Sequence, residues 1–586
     1  MRMNIVKVSG CLFVLFFFVY NLEAKKIWKE PFSSYSLSCG KSGGRIFLPI
    51  SSDPKSFNPI VAKETSTTTI TGLIFEGLTR TDPVTLEVLP NLAKSWKTED
   101  QKVWIFYLRD DVFWSDGKKF SADDVIFTFK ELIYNPNIPT GSRDIFTING
   151  KYIDVEKIDD YTIKFILPEK FCPFLRALSQ DILPKHKYEN LVREDKFTFS
   201  LGLDINPKDI VGTGPFRIKK YLAGEKVILE RNPYYWKKDA CGNSLPYLDE
   251  IVFVILPNPD TALLKFLEGE VDFYGLRPKD LAVLGPQKQR GFSIYNLGVT
   301  FGSNFLVLNQ NPDTNPQTKK PFVKQYKLAW FRNKNFRKAI SFAINRKKII
   351  DLVLQGLGIE QFSPESPANK IFYTDNVVKY KYNPKRARKI LFSLGFSDKD
   401  KDGILEDSFG NKLEIDFFTN SNNPERVTIA NIIKKDLEAI GFKINFLPLD
   451  FNNLVMKLTA TYDWEMILIG LTGGVEPYFG KNVWASNGDL HMWNPTKKLQ
   501  QPYEENIDDI FNKAAIICDE VERKKLFDSW QYIVSENLPL IYTVLGYSLY
   551  AIWDKFENLY PTIYGGVFSQ IEYVYMKNLK NEKAKK

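Results

Sequence analysis

Histidine is nearly missing from this chain: its 586 residues include two, His186 and His491. A metal centre built from several imidazoles is therefore excluded, and no metal or other cofactor is expected. Cysteine is scarce as well, five residues with no CxxC spacing and no histidine nearby in sequence, so a zinc site has no ligand set. Cys39, Cys172, Cys241 and Cys518 leave open one or two disulfides or free buried thiols, with any pairing undetermined. No HExxH motif or convergent triad marks a catalytic centre, so no catalytic residue is assigned. Past residue 24 there is no apolar run long enough to span a bilayer. Charge of one sign is never massed on one helix or arm, and a net +9 spread over this length does not imply nucleic acid.

What is present belongs to a globular protein: 44% hydrophobic and 25% charged residues, in a chain long enough for at least two cores. Arg2 and Lys7 precede the apolar segment Cys11–Tyr20, and Ala24 offers a small residue before a cut at Lys25. This pattern predicts a signal peptide over residues 1–24, export to the periplasm or the extracellular space, and a polar leader over 25–44, with an uncleaved anchor as the alternative. Val8-Ser9-Gly10-Cys11 has the letters of a lipoprotein box but precedes the apolar core, so lipidation at Cys11 is not expected.

The chain is organised around Met466-Ile467-Leu468-Ile469, an apolar run of the length of a strand buried on both faces. It breaks into Thr472-Gly473-Gly474-Val475-Glu476-Pro477, a glycine-rich turn that brings backbone amides to one rim of a sheet. In open α/β folds ligands bind at that rim, beyond the carboxyl ends of the strands. Trp484, His491, Trp493 and Asn494 follow. Flat rings mixed with amides suit a polar ligand with apolar faces, such as a peptide or sugar, and equally suit a packed satellite cluster. The candidate ligand-binding residues are thus Thr472, Gly473, Gly474, Glu476, Trp484, His491, Trp493 and Asn494.

Before this stretch, Arg45–Ile50 reads as a strand. Ser121 caps a helix with Asp124 in capping-box position, and Val211-Gly212-Thr213-Gly214-Pro215-Phe216 is a glycine turn without the spacing of a phosphate cradle. After residue 330 helices and strands alternate. A strand at Leu413–Phe418, a helix bearing Ile429, Ile433, Leu437 and Ile440, a strand at Phe442–Leu447 and a helix bearing Leu454 and Leu458 lead into Met466–Ile469. That is a βαβαβ unit, for which parallel pairing is the economical expectation. Asp398-Lys399-Asp400-Lys401-Asp402-Gly403 begins like a calcium loop, but Phe409 stands at the twelfth position where a glutamate is required, so a charged turn is expected.

Six blocks carry a resemblance: WSDGKKFSADDVIFTFKEL at 114–132, VGTGPFRIKKYLAGEKVILERNPYYW at 211–236, LPYLDEIVFV at 245–254, FLEGEVDF at 266–273, Phe336–Gly356, and YNPKRARKILFSLG at 382–395. In content and order they resemble the extracellular solute-binding proteins of the peptide, oligopeptide and nickel ABC transporter class. The resemblance implies an α/β, bilobal, periplasmic-binding-protein-like clam-shell, its two lobes joined by two crossing strands. Lobe I would cover 45–298 with an inserted subdomain at about 75–205, lobe II 299–538, and the return to lobe I 539–586. The crossings are expected near Tyr295–Asn309 and Asn537–Ile552. The implied partners are a small solute, an oligopeptide or oligosaccharide, and an ABC permease in the inner membrane, with the binding protein itself a monomer. Peptide binders of this family often hold the ligand ammonium with an aspartate in the loop that corresponds to Thr472–Pro477. Here no aspartate precedes the Glu-Pro pair, and Glu476 is the available substitute. A secreted hydrolase acting on a glycan or peptide is the alternative of another class, and multiple turnover would distinguish it.

Overall fold

Among the described residues, buried apolar side chains gather into separate clusters built from different stretches of the chain. The computed structural model describes residues 28–577 apart from Lys63 and Asn149, so the expected signal peptide lies outside the described residues. The chain divides into two compact units. The first takes the chain through Glu169, then Phe174–Gly298 and the part from Ser548 onward; the second takes Val299–Tyr547 together with the short piece Lys170–Pro173.

In the first unit Arg45–Ile50 alternates buried and half-buried residues and pairs in parallel with Glu250–Ile255. Lys226–Arg231 and Phe216–Leu222 extend that sheet as antiparallel neighbours. Ile46, Leu48, Leu229 and Phe253 pack there with Ile70 and Ile74. A side chain at Gly212 would bring its Cβ to 2.0 Å from the Ile74 carbonyl oxygen. The glycine turn therefore exists to let two backbones touch. A second, antiparallel sheet joins Ala93–Thr98, Val103–Leu108, Thr162–Ile166 and Asp154–Asp159. The expected capping box is present at Ala122–Phe127, where the Ser121 amide donates to Asp124 Oδ2 at 3.0 Å. The leader is held on this unit: Gly40 donates to the Tyr247 hydroxyl, and Cys39 is bonded to Cys241.

The second unit carries the βαβαβ segment. Its sheet runs in the order Lys443–Leu449, Glu414–Asn420, Met466–Leu471, Ser303–Leu308, Leu540–Tyr542. The first three strands are parallel, as expected, and Ser303–Leu308 lies antiparallel to Met466–Leu471. Met466, Ile467 and Leu468 have no exposed surface, which accounts for the uninterrupted apolar run. On one face Met466 and Leu468 join Leu306, Leu308, Ile415 and Phe417 in a core covered by Pro424–Glu438, Lys334–Ala343 and Pro384–Ser393. The unit continues past residue 538 because Leu540–Tyr542 pairs with Phe305–Val307.

Cys172 and Cys518 form a second disulfide, closing a sequence separation of 346 residues within the second unit. The Cys172 amide also donates to the Ala515 carbonyl at 2.8 Å, and the Phe171 ring meets Tyr478 edge to face at 5.2 Å. Replacing both cysteines by serine is expected to lower stability by about 2–4 kcal/mol, because the unfolded chain regains the freedom that the link removes. Urea denaturation of the parent and the double variant measures this, and coincident curves would contradict it.

Candidate functional site

The carboxyl ends of Glu414–Asn420 and Met466–Leu471 lie side by side, and the chain leaves the second of these strands through Thr472, Gly473 and Gly474, all exposed. A Cβ at Gly473 would stand 2.0 Å from the Phe301 carbonyl oxygen, so glycine is required for this loop to fold back along the strand that begins at Ser303. Among the described residues, no backbone hydrogen bond uses an amide or carbonyl of Thr472, Gly473 or Gly474. Three consecutive residues at the ligand-prone end of a parallel sheet thus present free donors and acceptors.

Arg426, in the first turn of Pro424–Glu438, closes the same rim. Its guanidinium donates to Asn420 Oδ1 at 2.7 Å and to Asn304 Oδ1 at 2.9 and 3.1 Å. Burial holds its pKa below the usual arginine value. On another side lies Ser363–Asn369. Asn369 Nδ2 donates to the Val475 carbonyl at 3.1 Å and to Glu365 Oε2 at 2.8 Å, and Ser366 Oγ donates to the Thr300 carbonyl at 2.6 Å.

The remaining expected site residues lie inside the second unit. Glu476 is 6% exposed; its Oε1 accepts from Arg523 Nη2 at 2.7 Å and from the Tyr478 amide at 3.1 Å. Arg523 is fixed in turn by the Ala514 carbonyl and lies over the Phe372 and Phe527 rings. Glu476 is therefore committed to a partner within its own unit and is not available to a ligand ammonium. Trp484 packs on Trp493 and Trp530, with ring centres 5.7 and 5.1 Å apart. Trp493, His491 and Asn494 are 0%, 1% and 1% exposed, and all three converge on Glu504. Trp493 Nε1 donates to Glu504 Oε1 at 3.0 Å, His491 Nε2 lies 3.4 Å from it, and Asn494 Nδ2 bonds both carboxylate oxygens. Burial raises the Glu504 pKa, but these bonds and the Gln500 amide outweigh it, and the net shift is downward.

Thr472, Gly473 and Gly474 are thus brought to the rim together, whereas Trp484, His491, Trp493 and Asn494 are packing residues around a buried helix cap. Gln501-Pro502-Tyr503-Glu504 was the sequence signal for that cap: a residue at the N-cap, proline in the first turn and glutamate at the third helical position. Sequence reasoning also passed over Arg426, Glu365 and Asn369, whose side chains meet the rim only through the tertiary fold. In the charged turn, Lys412 places its ammonium 2.9 Å from Asp400 Oδ2 and also bonds Asp402, so the turn is neutralised by the chain's own cation.

Residues 87–489 match the family model of bacterial extracellular solute-binding proteins, family 5. A probable ABC transporter-binding protein of Deinococcus radiodurans is 32% identical over 570 residues, covering 92% of this chain and 93% of that one. This chain belongs to the family 5 solute-binding proteins. Its function is that of the solute-binding component of an ABC transporter, and its mixed α/β fold is the fold of that family. The oligopeptide-binding protein AppA of Bacillus subtilis is 27% identical, with 89% of each chain covered. Among solved structures, the periplasmic binding protein MelB of Agrobacterium fabrum, in complex with stachyose, superposes with a TM-score of 0.77 at 23% identity, covering 92% of this chain and 86% of that one. The hydrolase alternative finds no support in these relatives, all of which are named as binding proteins.

Proposed function

We propose that this chain captures a peptide in the periplasm and delivers it, as a monomer, to an ABC permease in the inner membrane. The observation that carries the choice of peptide is the exposed run Thr472–Gly474, whose backbone donors and acceptors are unpaired at the end of a buried strand. A peptide main chain offers the complementary groups at matching spacing and binds an open edge by extending it. Side chains of the ligand would then be read weakly, because the rim residues are two glycines and a threonine. The oligopeptide-binding name of the Bacillus subtilis relative agrees with this class. A leader of the expected kind at residues 1–24 supports export.

Calorimetry on protein freed of bound solute by unfolding and refolding tests the assignment. A pool of tetrapeptides is expected to bind with a dissociation constant in the micromolar range or below, to be recovered intact, and to compete with one another. Raffinose is expected to give no heat. Saturable binding of raffinose with none of peptide would move the assignment to oligosaccharides, and release of cleaved peptide would remove it from the binding proteins.

A further inference from the structure

Positive charge, expected to be nowhere massed, is massed on one helix of the second unit. Between Asp375 and Asp398 the sequence has no acidic residue and carries Lys379, Lys381, Lys385, Arg386, Arg388 and Lys389. The last four lie on Pro384–Ser393, which buries Ala387 and Leu391 in the core and packs Ile390 against it. Spacing of three and four residues then turns Lys385, Arg388, Lys389 and Phe392 outward together, and all four are exposed. Phe392 is 48% exposed in the midst of these cations, with the Arg388 guanidinium 5.3 Å from its ring centre; Tyr382, just before the helix, is 44% exposed. Among the described residues, Lys379 alone of the six cations has an acidic partner, Asp375 at 2.6 Å. Cations on neighbouring helices are matched: Lys334 and Lys338 with Glu536, Lys513 with Asp509, Lys524 with Asp528.

We infer that this face docks the protein on the anionic headgroups of a phospholipid bilayer. A helix whose solvent face joins lysine and arginine to an exposed phenylalanine matches the layers of a bilayer surface, phosphate oxygens outside and acyl carbon beneath. Charge alone would suit an acidic protein as well, but the ring decides between them. Phe392 stands among cations, where a purely acidic partner offers it nothing. At a headgroup layer it enters the acyl boundary while the long stems of Lys385 and Lys389 keep their ammonium groups level with the phosphates. The unpaired cations are also not fixed by hydrogen bonds to carboxylates in the geometry that one bidentate partner demands; a fluid layer of phosphates asks only for density of charge. The solute-binding component of an ABC transporter delivers at a membrane, so attraction to the bilayer confines its search for the permease to that surface. The inference does not depend on which solute is carried.

The test sediments the soluble exported protein with vesicles of phosphatidylethanolamine and phosphatidylglycerol in equal parts, and with vesicles of phosphatidylcholine. At low salt the parent should partition at least about 10-fold more strongly onto the anionic vesicles, and high salt should erase the difference. Charge reversal by Lys385→Glu, Arg388→Glu and Lys389→Glu together should abolish the preference. Because these side chains are exposed, circular dichroism and solute affinity should stay as in the parent. Phe392→Ala should weaken binding to anionic vesicles several-fold and leave its salt dependence in place, which separates the ring from the charges. If the triple reversal impairs folding, Lys385→Gln with Lys389→Gln is the milder change and should lower the preference several-fold. Equal partition of the parent onto both kinds of vesicle overturns the inference, and so does a preference that the folded charge variants keep. Loss of solute uptake by cells carrying the triple variant, with no vesicle preference in the parent, would assign the face to an acidic protein surface and overturn the bilayer reading.

Discussion

Trp493→Ala is expected to destabilise the second unit by about 3–5 kcal/mol and to leave the peptide affinity of the folded protein unchanged. The ring has no exposed surface, it packs against Trp484 and His491, and its Nε1 is one of the donors that satisfy Glu504. Truncation therefore removes a large buried surface, leaves a cavity, and withdraws a hydrogen bond from a buried carboxylate; these costs act in the same direction. Trp493→Phe separates them, since it keeps most of the volume and deletes the donor, and it should cost a fraction of the alanine loss. Urea denaturation followed by tryptophan fluorescence gives the stabilities, and calorimetry on the folded variants gives the affinities. If the alanine variant instead kept its stability and lost affinity, the ring would be a ligand wall and the packing account of Trp484, His491, Trp493 and Asn494 would fall.

Arg523→Ala should be comparably damaging, by about 3–5 kcal/mol, because it strands the Glu476 carboxylate in a site that water does not reach. The pair is nearly inaccessible, with 6% and 4% of the two side chains exposed, and Arg523 also spans the Ala514 carbonyl and two phenylalanine rings. Glu476→Gln removes the charge and keeps an acceptor for the Tyr478 amide, so combining it with Arg523→Ala should recover part of the loss. The four proteins form a double-mutant cycle whose coupling reports the pair itself. Additive losses would mean that the ion pair contributes nothing. Near-wild-type stability of Arg523→Ala would mean that Glu476 is open to solvent and free for ligand after all.

The amino-acid sequence by itself determined those features that short-range rules govern. The βαβαβ order around Met466–Leu471 was legible because each strand and helix carries its own periodicity over a few residues, and parallel pairing follows from the helices between. The Ser121 to Asp124 cap was legible because both partners lie within one turn. The family was legible because its blocks recur in order along the chain. What only the tertiary structure decided involves partners far apart in sequence. Whether Trp493 is a wall or a core ring depends on Glu504 and on Trp484 and Trp530 around it, and an aromatic-rich stretch reads alike in both cases. Glu476 looked like a turn residue before a proline; Arg523, 47 residues away, makes it a buried ion pair. The cysteine pairing required separations of 202 and 346 residues to close. Burial and charge pairing are properties of the packed chain, and residue spacing does not encode them.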